Sequence, residues 1–254
     1  MAYAFGTTRQ AAARLESIAT VFNPLADPFV RAHPPRSATT AIDLGCGPGF
    51  TTDLLARAAG CTHVYGLDSS TEMLAMAAKR FPRAIFLRHD VTRVPFPVRA
   101  DVMYARFLLS HLPEPVDLVG RWAAQLEPGG VLLVEEVEAV ETRLDAFRDY
   151  LATSEALVAS GGTSLFVGRE LAGGDYNAHV LVNECVTLPV ANRVAATWFL
   201  PNTQTVWRDS PVVRERLSGP QVEAIWRELA RLADTRDPQS DITWKMRRLA
   251  LRRP

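Results

Sequence analysis

Two acids flanking a run of glycines carry the most chemistry in this sequence. The stretch Asp43-Leu44-Gly45-Cys46-Gly47-Pro48-Gly49-Phe50 ends a short apolar run, and Thr51-Thr52-Asp53-Leu54-Leu55 then reads as a helix start. Glycines let the backbone approach a ligand closely, and the N–H groups of a helix start favour bound negative charge. Strand, glycine turn and helix in that order make a nucleotide-type ligand site. A dinucleotide fingerprint wants glycine at the first, third and sixth places. Here the sixth place is Phe50, and the third glycine arrives one place early at Gly49. Asp68 closes a second apolar stretch, 63–68. Its two carboxylate oxygens suit two adjacent ribose hydroxyls, since each accepts one O–H. Dinucleotide folds use an acid in much the same place, so Asp68 alone does not choose the ligand.

Further candidates follow along the chain. Asp90 and Val91 come just after a third strand, 84–88, and a fourth strand over 101–107 delivers Tyr104 and Arg106. In open α/β sheets ligands lie outside the carboxyl ends of the strands, which is where residues 104–111 fall. His111 has an unperturbed pKa suited to proton removal near neutrality. Glu135 and Glu136 end a fifth strand. Neighbouring strand residues point to opposite faces, so at most one of this pair faces an acceptor cavity, and it either serves there or pairs with Arg106.

These residues need a framework, and the periodicity supplies one. Residues 7–22 read as an amphipathic helix, capped by Thr7 or Thr8, flanked by Tyr3 and Phe5, carrying Arg14, and stopped by Asn23-Pro24. Strands are expected at 40–44, 63–68, 84–88, 101–107, about 131–135, 179–187 and 242–251, with Asp101 a turn residue. Helices are expected over 71–79, 115–126, 141–160, around Trp198 and Phe199, and around Ile225 and Leu229. Residues 161–168 read as a flexible loop. The whole is an α/β fold of three layers, with a Rossmann-like seven-stranded, mostly parallel sheet.

The glycine turn resembles the first motif of the class I S-adenosylmethionine (SAM)-dependent methyltransferases, an acid followed by Gly-x-Gly-x-Gly, matched by Asp43, Gly45, Gly47 and Gly49. Asp90-Val91 resembles the third marker, and Pro128-Gly129-Gly130 before an apolar strand another. The resemblance covers roughly 38–137 well and the rest more loosely. It implies SAM as cofactor, a last strand running antiparallel between strands five and six, and a helical lid. It divides the chain into an N-terminal helical cap, 1–37, and a methyltransferase domain, 38–254, with a lid insertion at about 139–178. By resemblance Asp43 holds the amino group directly or through water. Gly45, Cys46, Gly47 and Gly49 cradle the cofactor, Asp68 and Ser69 meet the ribose, and Met73, Asp90 and Val91 meet the adenine. Tyr104, Arg106, Tyr3 and Arg14 approach the methionine part. His111, Glu135 and Arg106 are the catalytic candidates, although the family has no universal catalytic residue. Tyr104-Ala105-Arg106-Phe107 departs from the Asn/Asp-Pro-Pro-aromatic pattern of enzymes that methylate DNA bases.

Composition narrows the reading. The 254 residues carry 28 Lys+Arg against 28 Asp+Glu. A neutral chain argues against nucleic acid as partner. Arg247, Arg248, Arg252 and Arg253 read as a solvated end. Cys46, Cys61 and Cys185 are too dispersed for a metal site or a CxxC pair, and no metal ligand set is seen. With no signal peptide or membrane-spanning run evident, a cytoplasmic enzyme is expected. The expected acceptor is a small molecule, aromatic ones included, methylated on oxygen, nitrogen or activated carbon in secondary metabolism. Trp198 and Trp207 serve as core or acceptor pocket, and a homodimer is compatible with the chain. The alternatives are a nicotinamide-dependent oxidoreductase on the same sheet and a non-catalytic SAM-binding protein.

Overall fold

The computed structural model describes residues 9–236 and 238–254, with side chains from residue 11 onward. Tyr3, Phe5 and the Thr7 or Thr8 cap lie outside the described residues. In chain order the elements are α1 (Arg9–Ala32), β1 (Thr40–Leu44), α2 (Phe50–Ala58), β2 (His63–Asp68), α3 (Thr71–Arg80), β3 (Ile85–Arg88) and β4 (Ala100–Arg106). A single 3-10 turn (Leu109–His111) precedes α4 (Pro115–Ala123), β5 (Leu126–Thr142), α5 (Asp145–Ser160) and α6 (Gly168–Ala172). Then come β6 (His179–Val190), α7 (Asn192–Gln204), α8 (Pro211–Arg216), α9 (Gly219–Asp234) and β7 (Ile242–Arg252).

The seven strands form one sheet in the order β3-β2-β1-β4-β5-β7-β6. Pairing is parallel from β3 through to β5, and β7 runs antiparallel to both β5 and β6. Alternation along the central strands feeds two separate cores. Ile42, Leu44, Met103 and Ala105 pack with Leu118 and Trp122 of α4, while Ala41, Val102 and Tyr104 pack with Leu54 and Leu55 of α2. The strand order reverses between β1 and β4, so the crevice beyond their carboxyl ends is the place for a ligand. A third cluster, with Phe22, Phe147, Trp198, Phe199 and Trp244, sits above that crevice and joins α1, α5, α7, α9 and the far ends of β5 and β7.

Several local readings are corrected. The first helix does not stop at Asn23-Pro24; α1 continues to Ala32 with Pro24 and Pro28 inside it. An interior proline costs about 3 kcal/mol or more. Burial of Ala26, Phe29 and Val30 against α2 and β1 offsets that cost, a tertiary gain invisible to local propensity. Pro128-Gly129-Gly130 is a bulge within β5: the pairing register jumps from Ala100↔Leu126 to Val102↔Val131, with Gly129 at φ 77°. β5 also runs on to Thr142 because β7 pairs with it along that length, so the first residues assigned to the lid are strand. Asp101 belongs to β4 rather than a turn, and its Oδ2 accepts from the N–H groups of Thr39 and Thr40. Residues 161–167 form a loop whose first part, Gly161 and Gly162, is exposed and whose end is anchored by buried Phe166 and Val167.

The arginine-rich end is not simply solvated. Arg248 is buried and donates to Glu135 across the β5–β7 pair at 2.9 Å and to the Leu25 carbonyl of α1. Arg247 pairs with Glu138 at 2.7 Å, and Arg253 donates to the Leu126 carbonyl. Among the described residues, no helix is long and apolar enough to cross a membrane.

Candidate functional site

The glycine turn leaves β1 with Gly45, Gly47 and Gly49 at φ 63°, 51° and 88°, values L side chains rarely adopt. The three positions differ in what a methyl group would meet. A Cβ at Gly45 would lie 2.5 Å from the Leu108 side chain, and one at Gly49 would lie 2.9 Å from Phe81. A Cβ at Gly47 would find only Leu15, at 3.9 Å. That turn is therefore open on the side facing the cavity. Asp68, at the end of β2, holds it in place: Oδ2 accepts from Gly47 N–H at 2.9 Å and Oδ1 from Ser70 N–H at 2.8 Å. Ser70 caps α3 by accepting from Met73 N–H, which sets the buried Met73 against the cavity.

Gly47→Ala is expected to leave the protein folded, at a cost of about 1–2 kcal/mol for a left-handed alanine, while the added methyl enters the ligand's space. Loss of SAM binding in calorimetry, with a far smaller shift in unfolding midpoint, is the expected pattern.

A cavity of about 540 Å³ runs from this turn into the third hydrophobic cluster, a volume in the range of small-molecule sites. Gly45, Cys46, Gly47, Asp68, Ser69 and Met73 line it, as do Asp90 and Val91 after β3. Asp90 is half exposed, with Oδ1 accepting from Thr92 N–H and Thr92 Oγ1. Arg14 from α1, with Arg106 and His111 after β4, line the same space. The sequence thus brings together residues from six segments, and the structure gives them one cavity. Asp43 and Gly49 stand behind the turn.

Two groups there are unsatisfied. Arg106 is buried; Nη2 donates to Asn23 Oδ1 of α1 at 2.7 Å, while Nε and Nη1 have no partner. Asp43 is also buried, with Oδ2 accepting from Thr51 and Thr52 hydroxyls at 2.7 and 2.6 Å and Oδ1 unpartnered. Arg106 lines the cavity, and its guanidinium charge suits an anionic ligand group there. An amino-acid moiety carries both complementary charges.

Burial pushes the Asp43 carboxyl up to about 7, against the two threonine hydroxyls and the Arg106 charge. A raised acid pKa means the folded state holds the proton more tightly. Its contribution to stability is then full below the ordinary carboxylate range and is lost as pH rises towards 7. The unfolding midpoint of the wild-type protein is expected to fall relative to that of Asp43→Asn as pH is raised from about 5 to about 8, and parallel curves would contradict the shift.

Tyr104, Glu135 and Glu136 are placed differently from expectation. Tyr104 is buried against α2, and its hydroxyl donates to Glu135 Oε2 at 2.6 Å. Glu135 takes Arg248 on its other oxygen, so it pairs with neither Arg106 nor an acceptor. Glu136 points to the opposite face, and its Oε1 accepts from Leu108 and Leu109 N–H groups at 2.6 and 2.7 Å. It fixes the segment that carries His111, beside Phe107 at φ 54°. None of the three lines the cavity.

The far part of the cavity holds residues that sequence reading missed: Phe22, Phe107, Tyr150, Phe166 and Trp244, with Ser154 and Asn202. Of the two tryptophans singled out, Trp198 lines it and donates Nε1 to Ser17 at 2.9 Å. Trp207 lies outside the lining, in the turn after α7, stacked on Tyr150. The signal that could have flagged these residues was aromatic density in the second half of the chain, which does not separate wall from core. Among the described residues, no group of His, Cys, Asp and Glu is arranged to hold a metal ion.

Residues 42–134 match the family model described as "Methyltransferase domain". Over 99 residues the chain is 41% identical to a trans-aconitate 2-methyltransferase of Variovorax paradoxus, covering 39% of this chain and 38% of that protein. Over 130 residues it is 38% identical to the protein of that name from Methylobacterium radiotolerans, covering 51% and 50%. The chain thus spans between about two fifths and a half of the length of the curated relatives it matches. Among solved structures, coclaurine N-methyltransferase bound to N-methylheliamine and S-adenosylhomocysteine (SAH) superposes with a TM-score of 0.58, 16% identity and coverage of 93% of this chain and 72% of that one.

Proposed function

We propose, from the premise that residues 42–134 are a class I SAM-dependent methyltransferase domain, that the whole chain transfers a methyl group from SAM to a small, largely apolar, ring-bearing acceptor. The observation that carries this reading is the single cavity joining the glycine turn to an aromatic chamber. SAM supplies a sulfonium-activated methyl, so the protein has chiefly to align the partners, and orientation alone can be worth effective molarities of roughly 10⁵ M and above. Asp68 takes the ribose hydroxyls with its remaining lone pairs, and Met73, Asp90 and Val91 frame the adenine. Arg106, in the cavity wall, balances the charge of the carboxylate. Asp43 acts on the amino group through a bridging water, since it stands behind the turn.

The similarity to trans-aconitate methyltransferases covers between about two fifths and a half of this chain. The acceptor half argues for a different substrate. Phe22, Phe107, Phe166, Trp198, Phe199 and Trp244 dominate that chamber, and a tricarboxylate buried among them would lose hydration with few cations to replace it. A second reading, a carboxylic-acid acceptor, is favoured by the guanidinium groups of Arg14 and Arg106 in the wall. Incubation with methyl-labelled SAM and a panel of phenols, aryl amines, aryl carboxylates and trans-aconitate separates the two. Labelling of trans-aconitate alone would overturn the aromatic assignment. Free Cys46, Cys61 and Cys185 support a reducing, cytoplasmic setting, and an apolar ring-bearing acceptor suits secondary metabolism.

His111 is the general-base candidate for acceptors that must lose a proton. Burial, and then the Arg14 charge, lower its pKa to about 4, which keeps the imidazole neutral at neutral pH but makes it a weaker base than its unperturbed pKa suggests. His111→Gln is expected to lower kcat roughly 10²-fold with SAM affinity unchanged; unchanged turnover would remove it as base.

A further inference from the structure

The apolar chamber has one polar tip. Asn202 of α7 donates from Nδ2 to Tyr150 Oη of α5 at 2.6 Å, and Ser154, one turn along α5, lines the same cavity. All three line the cavity, and all three are buried. The tyrosine ring is fixed, stacked between Phe199 (centroids 4.2 Å apart) and Trp207 (5.1 Å). A phenol, an amide and a hydroxyl are therefore held in a set orientation within a wall of Phe, Trp and Leu. Burying such groups is costly, and packing alone would be met by apolar side chains of the same shape. Chemically the cluster is versatile: the amide has a carbonyl acceptor and a second N–H, and the serine hydroxyl both donates and accepts.

Charge narrows what it can recognise. The carboxylates lining the cavity are Asp68 and Asp90, both beside the glycine turn and β3; the chamber walls from α1, α5 and α7 contribute none among the described residues. Arg14 and Arg106 line the cavity as well, so a cationic acceptor group would meet repulsion and no counter-charge. We infer that Tyr150, Asn202 and Ser154 form the acceptor-recognition site, binding an uncharged hydroxyl or carbonyl group of a ring-bearing acceptor while the aromatic walls take the ring. The inference rests on the chamber reading above and adds the group recognised and the residues that recognise it. The cluster sits on α5 and α7, elements separate from those carrying the glycine turn and His111, and its role is to orient the acceptor.

The test is calorimetric, on the full chain saturated with SAH, using 2-naphthol, naphthalene and 2-naphthylmethylammonium as probes. The wild-type protein is expected to bind 2-naphthol about tenfold or more tighter than naphthalene and to bind the ammonium probe most weakly. Tyr150→Phe and Asn202→Leu should each bring the two neutral probes within about threefold of one another, by weakening 2-naphthol only. SAH affinity and naphthalene affinity should not move, which a merely structural role for the cluster would not predict. A preference for 2-naphthol that survives in both variants overturns the inference. Equal binding of both neutral probes to the wild type overturns it too, while leaving the chamber reading intact. If SAH binds and no probe does, the chamber reading and the inference fall together. Should Asn202→Leu fail to fold, Tyr150→Phe carries the test alone.

Discussion

Asp68→Ala is expected to weaken SAM binding by about 3 kcal/mol, roughly a hundredfold, without unfolding the protein. The substitution acts twice. It removes the carboxylate offered to the ribose hydroxyls, and hydrogen bonds to a charged group are worth about 1.5–3 kcal/mol each. It also frees Gly47 N–H and Ser70 N–H, which the carboxylate holds at 2.9 and 2.8 Å, so the turn loses its anchor to β2. Asp68→Asn separates the effects. Its carbonyl oxygen can still accept from Ser70, while its NH₂ group meets Gly47 N–H donor to donor. An affinity between wild type and alanine is expected there. Wild-type affinity in Asp68→Ala would refute the ribose assignment.

The largest effect on stability is expected outside the cavity lining, in Arg248→Met. Arg248 and Glu135 form a buried pair across β5 and β7, with exposures of 9% and 2% at their side chains. Arg248 also reaches the Leu25 carbonyl of α1 and lies over the Phe29 ring at 5.0 Å. Methionine would keep much of the packing volume but leave Glu135 as an uncompensated buried charge, with Tyr104 alone donating to it among the described residues. Breaking a buried pair from one side costs about 3–5 kcal/mol, and chemical denaturation should show a loss of that size. The double variant Arg248→Met with Glu135→Leu should recover most of it, because removing both charges together is often neutral. A loss below about 1 kcal/mol in the single variant would mean the pair behaves like a surface contact.

These two residues also show what the sequence made legible. Asp68 was found because a strand ending in an acid is local information, as were the bounds of β1 and β2 and the glycine turn between them. The antiparallel last strand between strands five and six is expected from the family resemblance, and the structure has it there. Arg248 reads as part of a solvated basic end, although a last strand over 242–251 is expected beside strand five, because the register that sets it against Glu135 is not local information. The same limit explains Tyr104: alternation says that Tyr104 and Arg106 share a face of β4, but not that α2 covers one and α1 the other. The helix through Pro24 fails for a related reason, because its compensation comes from α2. The chamber was the least legible part. Tyr150 and Asn202 meet only after α5 and α7 pack over the sheet, and neither belongs to a periodic or glycine-marked pattern.

The most direct test of the account is a crystal structure of the full chain with SAH bound. The ribose should meet Asp68 above Gly47, the carboxylate should lie on the Arg106 side of the cavity, and the sulfur should face the chamber of Phe22, Trp198 and Trp244. A nucleoside held away from the glycine turn, or a sulfur pointing out of that chamber, would contradict it.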